Sequence, residues 1–398
     1  MKNKKIIIAV VAIIVVIAVV VSIILISNGN KNQDQQQANN QNTIQSSSGE
    51  KNQASSGLEV GNLNLDLGVV GEFSDGCAAI KLGEKWGFID TKGNYIAEPQ
   101  FTNIYSFKEG LACVEKSGSW GYLNTKGEMA IPCQYSYVEY FGEGLAFVKK
   151  GSKGYIINKS GEVVANTDNY ESAGEFSEGL VEVKKDGKYG FIDKDANVVI
   201  DFIYDNASDF KNGLAWVVKD GKSGYIDKTG KTVIDFVYDK GFTNYLDFNN
   251  GYATIAKDKK YGVIDTKGNV VVDFQYGNMK DYSEDGLIAA VKDGKWGYID
   301  IKGNTVIDFE YTDAYTFAEG LACVEKDNKY YGYIDTKGNT VVEFLFSENY
   351  TDPKRQFVDS IAAVKIGNDG GYIDKTGKII IGKLEESIEK VRARIEKK

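Results

Sequence analysis

The chain has 398 residues, 42% of them hydrophobic and 26% charged, which is ample material for a large core. A net charge of -9 argues against a nucleic-acid partner, since binding a phosphate backbone depends on clustered Lys and Arg. With no histidine anywhere, Ser-His-Asp and Cys-His catalysis and histidine-based zinc sites are excluded.

In chain order, residues 1–5 form a basic tip with Lys2, Lys4 and Lys5, and 6–27 are apolar, rich in Val, Ile and Ala. That length matches the roughly 20 residues needed to span a bilayer. It exceeds the about 7 to 15 apolar residues of a cleavable signal peptide. The expectation is an uncleaved signal anchor in the cell membrane. The lysines would stay in the cytoplasm under the positive-inside rule, with everything after the span outside the cell. Residues 28–57, mostly Gln, Asn and Ser, cannot bury enough apolar surface to offset chain entropy and read as a disordered tether.

Residues 58–70 alternate through Leu63, Leu65 and Leu67, a half-buried strand. Such a strand could cap the first repeat or complete the sheet of the last one and close a ring. A repeat domain follows to residue 383. Its clearest unit is 295–311, Lys-Trp-Gly-Tyr-Ile-Asp-Ile-Lys-Gly-Asn-Thr-Val-Ile-Asp-Phe-Glu-Tyr, two strands around a turn that Asp300 opens and Gly303 closes. A strand over 286–291 precedes it, joined by the hairpin signal Asp293-Gly294. The second-strand glycine recurs as Gly87, Gly121, Gly154, Gly190, Gly224, Gly262, Gly297, Gly332 and Gly371, at intervals of 33 to 39 residues. Fixed-period similarity of this kind means a repeat architecture in which no unit buries its apolar face alone.

Trp86-Gly87, Trp120-Gly121 and Trp296-Gly297 mark the units most plainly. Tyr189, Tyr261 and Tyr331 replace the Trp elsewhere, and Lys153, Ser223 and Gly370 depart from it. With the Gly-Leu-Ala strand before and the Val-Ile strand after, the pattern resembles the WG-repeat (tryptophan-glycine) family. The resemblance implies a bacterial binding or scaffold module, and it implies no catalytic residue.

Strands apolar on both faces must be covered on both. An all-β propeller of three-stranded or four-stranded meanders meets that need, with an open β-solenoid or superhelix as the alternative. A short fourth strand could come from 207–210 or 314–317. The repeated glycine would make room for a neighbouring ring or backbone. Two units carry insertions, 241–250 with Phe242 and Tyr245, and 350–358 with Arg355. Inserted loops often form a binding face, so these three residues are the candidate ligand contacts, although drift in loop length explains the insertions equally well. Residues 384–398 place Leu384, Ile388, Val391 and Ile395 at helical spacing, an amphipathic helix expected to dock on the repeats.

Sites for chemistry are sparse. Asp90, Asp193, Asp227, Asp265, Asp300, Asp335 and Asp374 recur at one turn position, so the turn accounts for them before glycoside hydrolysis does. The Asp-x-x-Gly spacing lacks the clustered oxygens of a calcium loop, and no metal or cofactor is expected. Cys113 and Cys323 occupy the slot of Phe147 and Trp216 and read as small hydrophobes, against a Cys77–Cys113 bridge. Recurrent rings read as filling between sheets before they read as sugar platforms. The expectation is a non-catalytic, membrane-anchored extracellular scaffold with a protein partner. Cell-wall glycan binding is the alternative.

Overall fold

In the computed structural model the described residues are 67–396, apart from 168–169, 241–246, 328 and 348–354. The expected anchor, the tether, Leu63 and Leu65 lie outside the described residues, as do the candidates Phe242 and Tyr245. No helix among the described residues is long and apolar enough to cross a membrane.

Local turn chemistry builds each unit. Asp293 (φ 52°) and Gly294 (φ 78°) are both left-handed, the two-residue hairpin that matches strand twist. At the next turn Asp300 Oδ1 accepts from the amides of Lys302 and Asn304, each at 2.9 Å, and the Gly303 amide donates to the Asp300 carbonyl at 3.0 Å. The aspartate thus caps its own turn, as the sequence reading required. The resulting strands, Leu287–Lys292, Lys295–Asp300 and Thr305–Tyr311, form one antiparallel sheet.

Nine such sheets follow one another, six of four strands and three of three among the described residues. We number them as blades 1 to 9. Where the extra strand exists it comes first. It is full length in blades 1 and 2 (Val69–Ser74, Asn103–Lys108) and shrinks to pairs such as Asn206–Ala207 and Asp313–Ala314 later. The predicted short fourth strand is therefore real, one residue earlier than expected.

The marker glycine answers to a bulge. In blade 5, Ser223 pairs with Tyr238 but Tyr225 pairs with Ile234, so the last strand carries extra residues opposite Gly224. A Cβ on Gly224 would lie 2.6 Å from the Ile234 carbonyl oxygen, and one on Gly297 would lie 2.8 Å from that of Ile307. The glycine accommodates backbone in the first place and, in some blades, a ring as well: Phe202 lies 3.0 Å from a Cβ on Gly190 and Phe274 3.0 Å from one on Gly262.

The core sits between blades. The rings just after the marker glycines are fully buried: Phe88, Tyr122, Phe191, Tyr225, Tyr298, Tyr333 and Tyr372. Each meets a Phe of the following blade, for example Tyr298 with Phe317 at 4.7 Å, Tyr122 with Phe141 at 4.7 Å and Tyr333 with Phe357 at 4.9 Å. The rings before the glycines are less deeply placed. Trp296 and Tyr331 are buried, but Trp86, Trp120, Tyr189 and Tyr261 are only half-buried. They sit at the blade ends, paired with the last aromatic of the outer strand, as Trp296 is with Tyr311.

The same contacts close the ring. Tyr372 of blade 9 meets Phe73 of blade 1 at 4.9 Å, and its hydroxyl donates to the Gly71 carbonyl at 2.9 Å. Leu67 forms a bridge with Gly370, whose amide donates to the Leu67 carbonyl at 2.6 Å. In the other blades except blade 3 the residue before the marker glycine pairs with the aromatic ending the same sheet; in blade 9 Leu67 supplies that partner. Leu67 thus serves the ring-closing use, and these contacts decide for a closed nine-bladed propeller over an open solenoid. Val69 onward belongs to blade 1 itself, inside the first unit and not before it.

The expectation that both faces of every strand are covered fails at the outermost strand. Val198, Val199, Val233, Val270, Val306 and Val341 are exposed there, because no further layer lies beyond. The C-terminal helix, Glu385–Ile395, docks through Leu384, Ile388 and Val391 against Val342, Leu345 and Phe346 of blade 8. Arg392 pairs with Glu343 through Nε at 3.1 Å and Nη2 at 3.0 Å. Ile395, predicted on the apolar face, is exposed.

Candidate functional site

First strands line the centre of the ring. A cavity of about 930 Å³ opens there, walled by 71–75 of blade 1, 104–108 of blade 2, Tyr140, Glu175, and Val358 and Asp359 of blade 9. Its aromatic wall is Trp86, Tyr105 and Tyr140. Tyr105 is 39% exposed. It stacks on Trp120 at 5.0 Å and 25°, and meets Tyr140 at 5.4 Å. Lys81 Nζ stands 5.7 Å from the Trp86 ring and Lys108 Nζ stands 6.0 Å from that of Tyr140. The charged groups are Glu72, Asp75, Glu175 and Asp359 against Lys108, which pairs with Glu175.

A belt of polar contacts runs around the hairpin turns beside this cavity. Asp75 Oδ2 accepts from the Gly110 amide at 2.7 Å. Glu109 accepts from the amides of Glu143 and Gly144 at 2.7 and 3.0 Å, and Glu143 accepts from that of Gly179 at 2.8 Å. Glu178 continues to Gly213, Asp285 to Gly320 and Glu319 to Ser360. Between blades 5, 6 and 7 the amides of Asn212 and Asn249 donate instead to the Phe248 and Tyr282 carbonyls, both at 2.9 Å. Lys159 and Lys375 pair with Glu109 and Glu319 at 3.1 and 2.8 Å. Partial burial pushes the Glu109 and Glu319 carboxyls up. The ammonium groups and backbone N–H donors outweigh it and hold both below the usual carboxylate range.

Where the repeat slot of Cys113 and Trp216 carries Glu182, a different chemistry appears. Its Oε2 and the Oδ1 of Asp209 are both buried. Burial first, then the Asp209 and Glu139 carboxyls, push Glu182 well above the usual range. Gly174 is required opposite it, since a Cβ there would lie 1.8 Å from Glu182 Oε1.

Of the predicted ligand contacts, only Arg355 is described, and it is 5% exposed. Its Cζ lies 3.8 Å from the Tyr331 ring and 5.1 Å from that of Tyr315, a stacked position within the wall between blades 8 and 9. At the markers Gly87, Gly121 and Gly297 backbone lies within 3 Å of where a Cβ would sit, Trp120 and Trp296 flank the latter two, and Trp86 borders the cavity. Cys77, Cys113 and Cys323 are buried thiols, and burial pushes Cys77 up to about 11, far from a reactive thiolate. No group of metal-ligating side chains occurs among the described residues.

Nine consecutive stretches match the repeat family described as "WG containing repeat": 68–86, 86–119, 120–153, 156–189, 189–222, 224–261, 261–296, 296–330 and 331–368. No curated protein sequence matches the chain. Among solved structures it is similar to a eukaryotic initiation factor, with 12% identity and a TM-score of 0.54 over 78% of this chain and 96% of that one. The computationally designed Ika8 protein is 14% identical, with a TM-score of 0.43 over 70% and 96%. BamB from Moraxella catarrhalis is 12% identical, with a TM-score of 0.40 over 76% and 94%. The first supports the fold described above, and at such identities none speaks to function.

Proposed function

The chain belongs to the WG-repeat family, and from that premise we propose that its propeller is a non-catalytic binding scaffold for a protein partner. One observation carries the reading. The turn aspartates and the deeply buried rings are committed to the fold, whereas the inner rim keeps a roomy cavity with part-exposed aromatic faces and several carboxylates. Grooves of that size with aromatic walls and a few placed polar groups are where ligands bind. The basic tip and the apolar 6–27 segment support an anchored, extracellular placement.

Cell-wall glycan is the competing reading, favoured by the part-exposed Tyr105 ring stacked on Trp120. Incubating the detergent-solubilised full chain with purified peptidoglycan, and separately with cell-surface extract followed by cross-linking, separates the two. Retention on peptidoglycan that falls with Tyr105→Ala would reject the protein-partner reading. Cross-linked protein without such retention supports it. A reporter fused to the C-terminus tests the compartment, and a cytoplasmic signal would overturn the anchor.

A further inference from the structure

We infer that the cavity at the ring's closing junction receives a basic segment of the partner, one presenting lysine or arginine side chains. This rests on the binding-scaffold reading and gives the partner a chemistry. Three independent features converge on it.

The first is position. Every other junction is tied by a turn side chain to the backbone of the next blade, from Asp75 at the first to Glu319 at the last. Asp359 holds the corresponding turn position in blade 9, with φ 52° like Glu109 and Glu319. Among the described residues no bond from it to blade 1 is recorded. Its carboxylate, together with Val358, lines the cavity. The cavity reaches across blades 9, 1, 2, 3 and 4, and at its blade 9 edge an acceptor that elsewhere takes an N–H is part of the lining.

The second is charge. Glu72, Asp75, Glu175 and Asp359 surround the cavity against Lys108 as the cation among its lining residues. Low-dielectric walls lined by one sign of charge concentrate counter-charged ligands. A neutral saccharide would leave that excess uncompensated, and an acidic peptide would be repelled.

The third is the aromatic wall. Ammonium groups over rings are a habit of this molecule: Lys81 over Trp86, Lys184 over Tyr189 and Lys280 over Trp296, at 5.7, 5.7 and 5.3 Å. Lys81 and Lys108 already stand over Trp86 and Tyr140, so this wall accepts cations, and a partner's cation would meet it from the cavity side. Carboxylates beside ring faces are the combination that recognises a lysine or arginine side chain and discriminates against a neutral one.

The test uses the full chain in detergent and three fluorescent probes: a decapeptide alternating Lys and Ala, its Glu-Ala counterpart, and an N-acetylglucosamine hexamer. The Lys-Ala peptide is expected to bind alone. Asp359→Asn and Trp86→Ala should each weaken it about tenfold, a typical size for a partly desolvated charge or cation–π contact. Trp86→Phe should restore most of the loss. Asp293→Asn, which changes net charge equally at a remote turn, should change nothing. Equal weakening by Asp293→Asn and Asp359→Asn would mean diffuse attraction and would overturn the inference. Capture of the hexamer or the Glu-Ala peptide in a Trp86-dependent way would also overturn it, while leaving the cavity a binding site. If no probe binds and a partner captured from extract is indifferent to Trp86 and Asp359, the cavity is not the binding site and the inference falls with it. Unchanged melting of each variant guards against misfolding.

Discussion

The junctions inside the ring and the one that closes it share a hydrophobic part and differ in their polar parts: the ring pair recurs at seven of the nine, and Ile156 with Phe176 and Val263 with Met279 take its place at the other two. Tyr298 against Phe317 inside the array and Tyr372 against Phe73 at the closure are nearly superposable in distance, 4.7 and 4.9 Å. The carboxylate tie that Glu109 makes to Glu143 and Gly144 has no counterpart from Asp359, and Leu67 joins Gly370 at the other end of the same strand pair. Apolar contact therefore sets the ring, since it is the term present at every junction where it can be read. The polar belt is an addition that one junction does without. That junction is also where the interior opens.

The comparison can be broken most forcefully with rings. Tyr298→Ala and Tyr372→Ala should each cost about 4 kcal/mol in denaturant unfolding, because both leave a cavity between two blades. A loss at Tyr372 less than half that at Tyr298 would mean the last blade has no neighbour. Next, Gly297→Ala should cost about 3 kcal/mol by forcing a methyl onto the bulged backbone 2.8 Å away. A neutral result would remove the bulge as the reason for the repeat's glycine. Smaller still, Glu109→Ala should cost about 1 kcal/mol by leaving two backbone donors without their acceptor. Asp359→Ala should cost nothing in stability, and equal losses would erase the difference between the junctions.

The smallest effect is one of pH. Glu182 is raised in the fold, so its contribution is complete below the unfolded value of about 4.3 and is lost as pH rises through the folded one. Glu109 and Glu319 are lowered and act oppositely, contributing above that unfolded value and losing it as pH falls. Glu182→Gln should therefore raise the melting temperature at pH 8 and leave it unchanged at pH 4. A drop at pH 8 would show that the ionised carboxylate is what the fold uses.

Much of this fold was legible because it is local and repeated. Asp300 and Gly303 declare their turn, Asp293-Gly294 declares a hairpin, and period two assigns strand faces. The belt was visible only as a habit, an acid or amide before glycine at Asp75, Glu109, Glu143, Glu178, Asn212 and Glu319. Nothing local says that such a carboxylate reaches the next blade. The central cavity was illegible for a stronger reason: its wall joins Gly71, Tyr105, Tyr140, Glu175 and Asp359, which adjoin only when the ring closes. The inserted loops drew attention to Arg355 by length alone, and burial between Tyr315 and Tyr331 is a tertiary outcome that length cannot reveal.

Closure itself is tested most directly by hydrogen exchange at one amide. Gly370 donates to Leu67, its partner from the opposite end of the domain, at 2.6 Å. In the intact chain that amide should be protected to a degree comparable with strand amides of the inner blades, and Leu67→Pro together with Gly68→Pro should abolish its protection while sparing blades 4 to 7. Exchange of the Gly370 amide at the rate of a solvent-exposed group in the unaltered chain would mean the nine blades end without meeting.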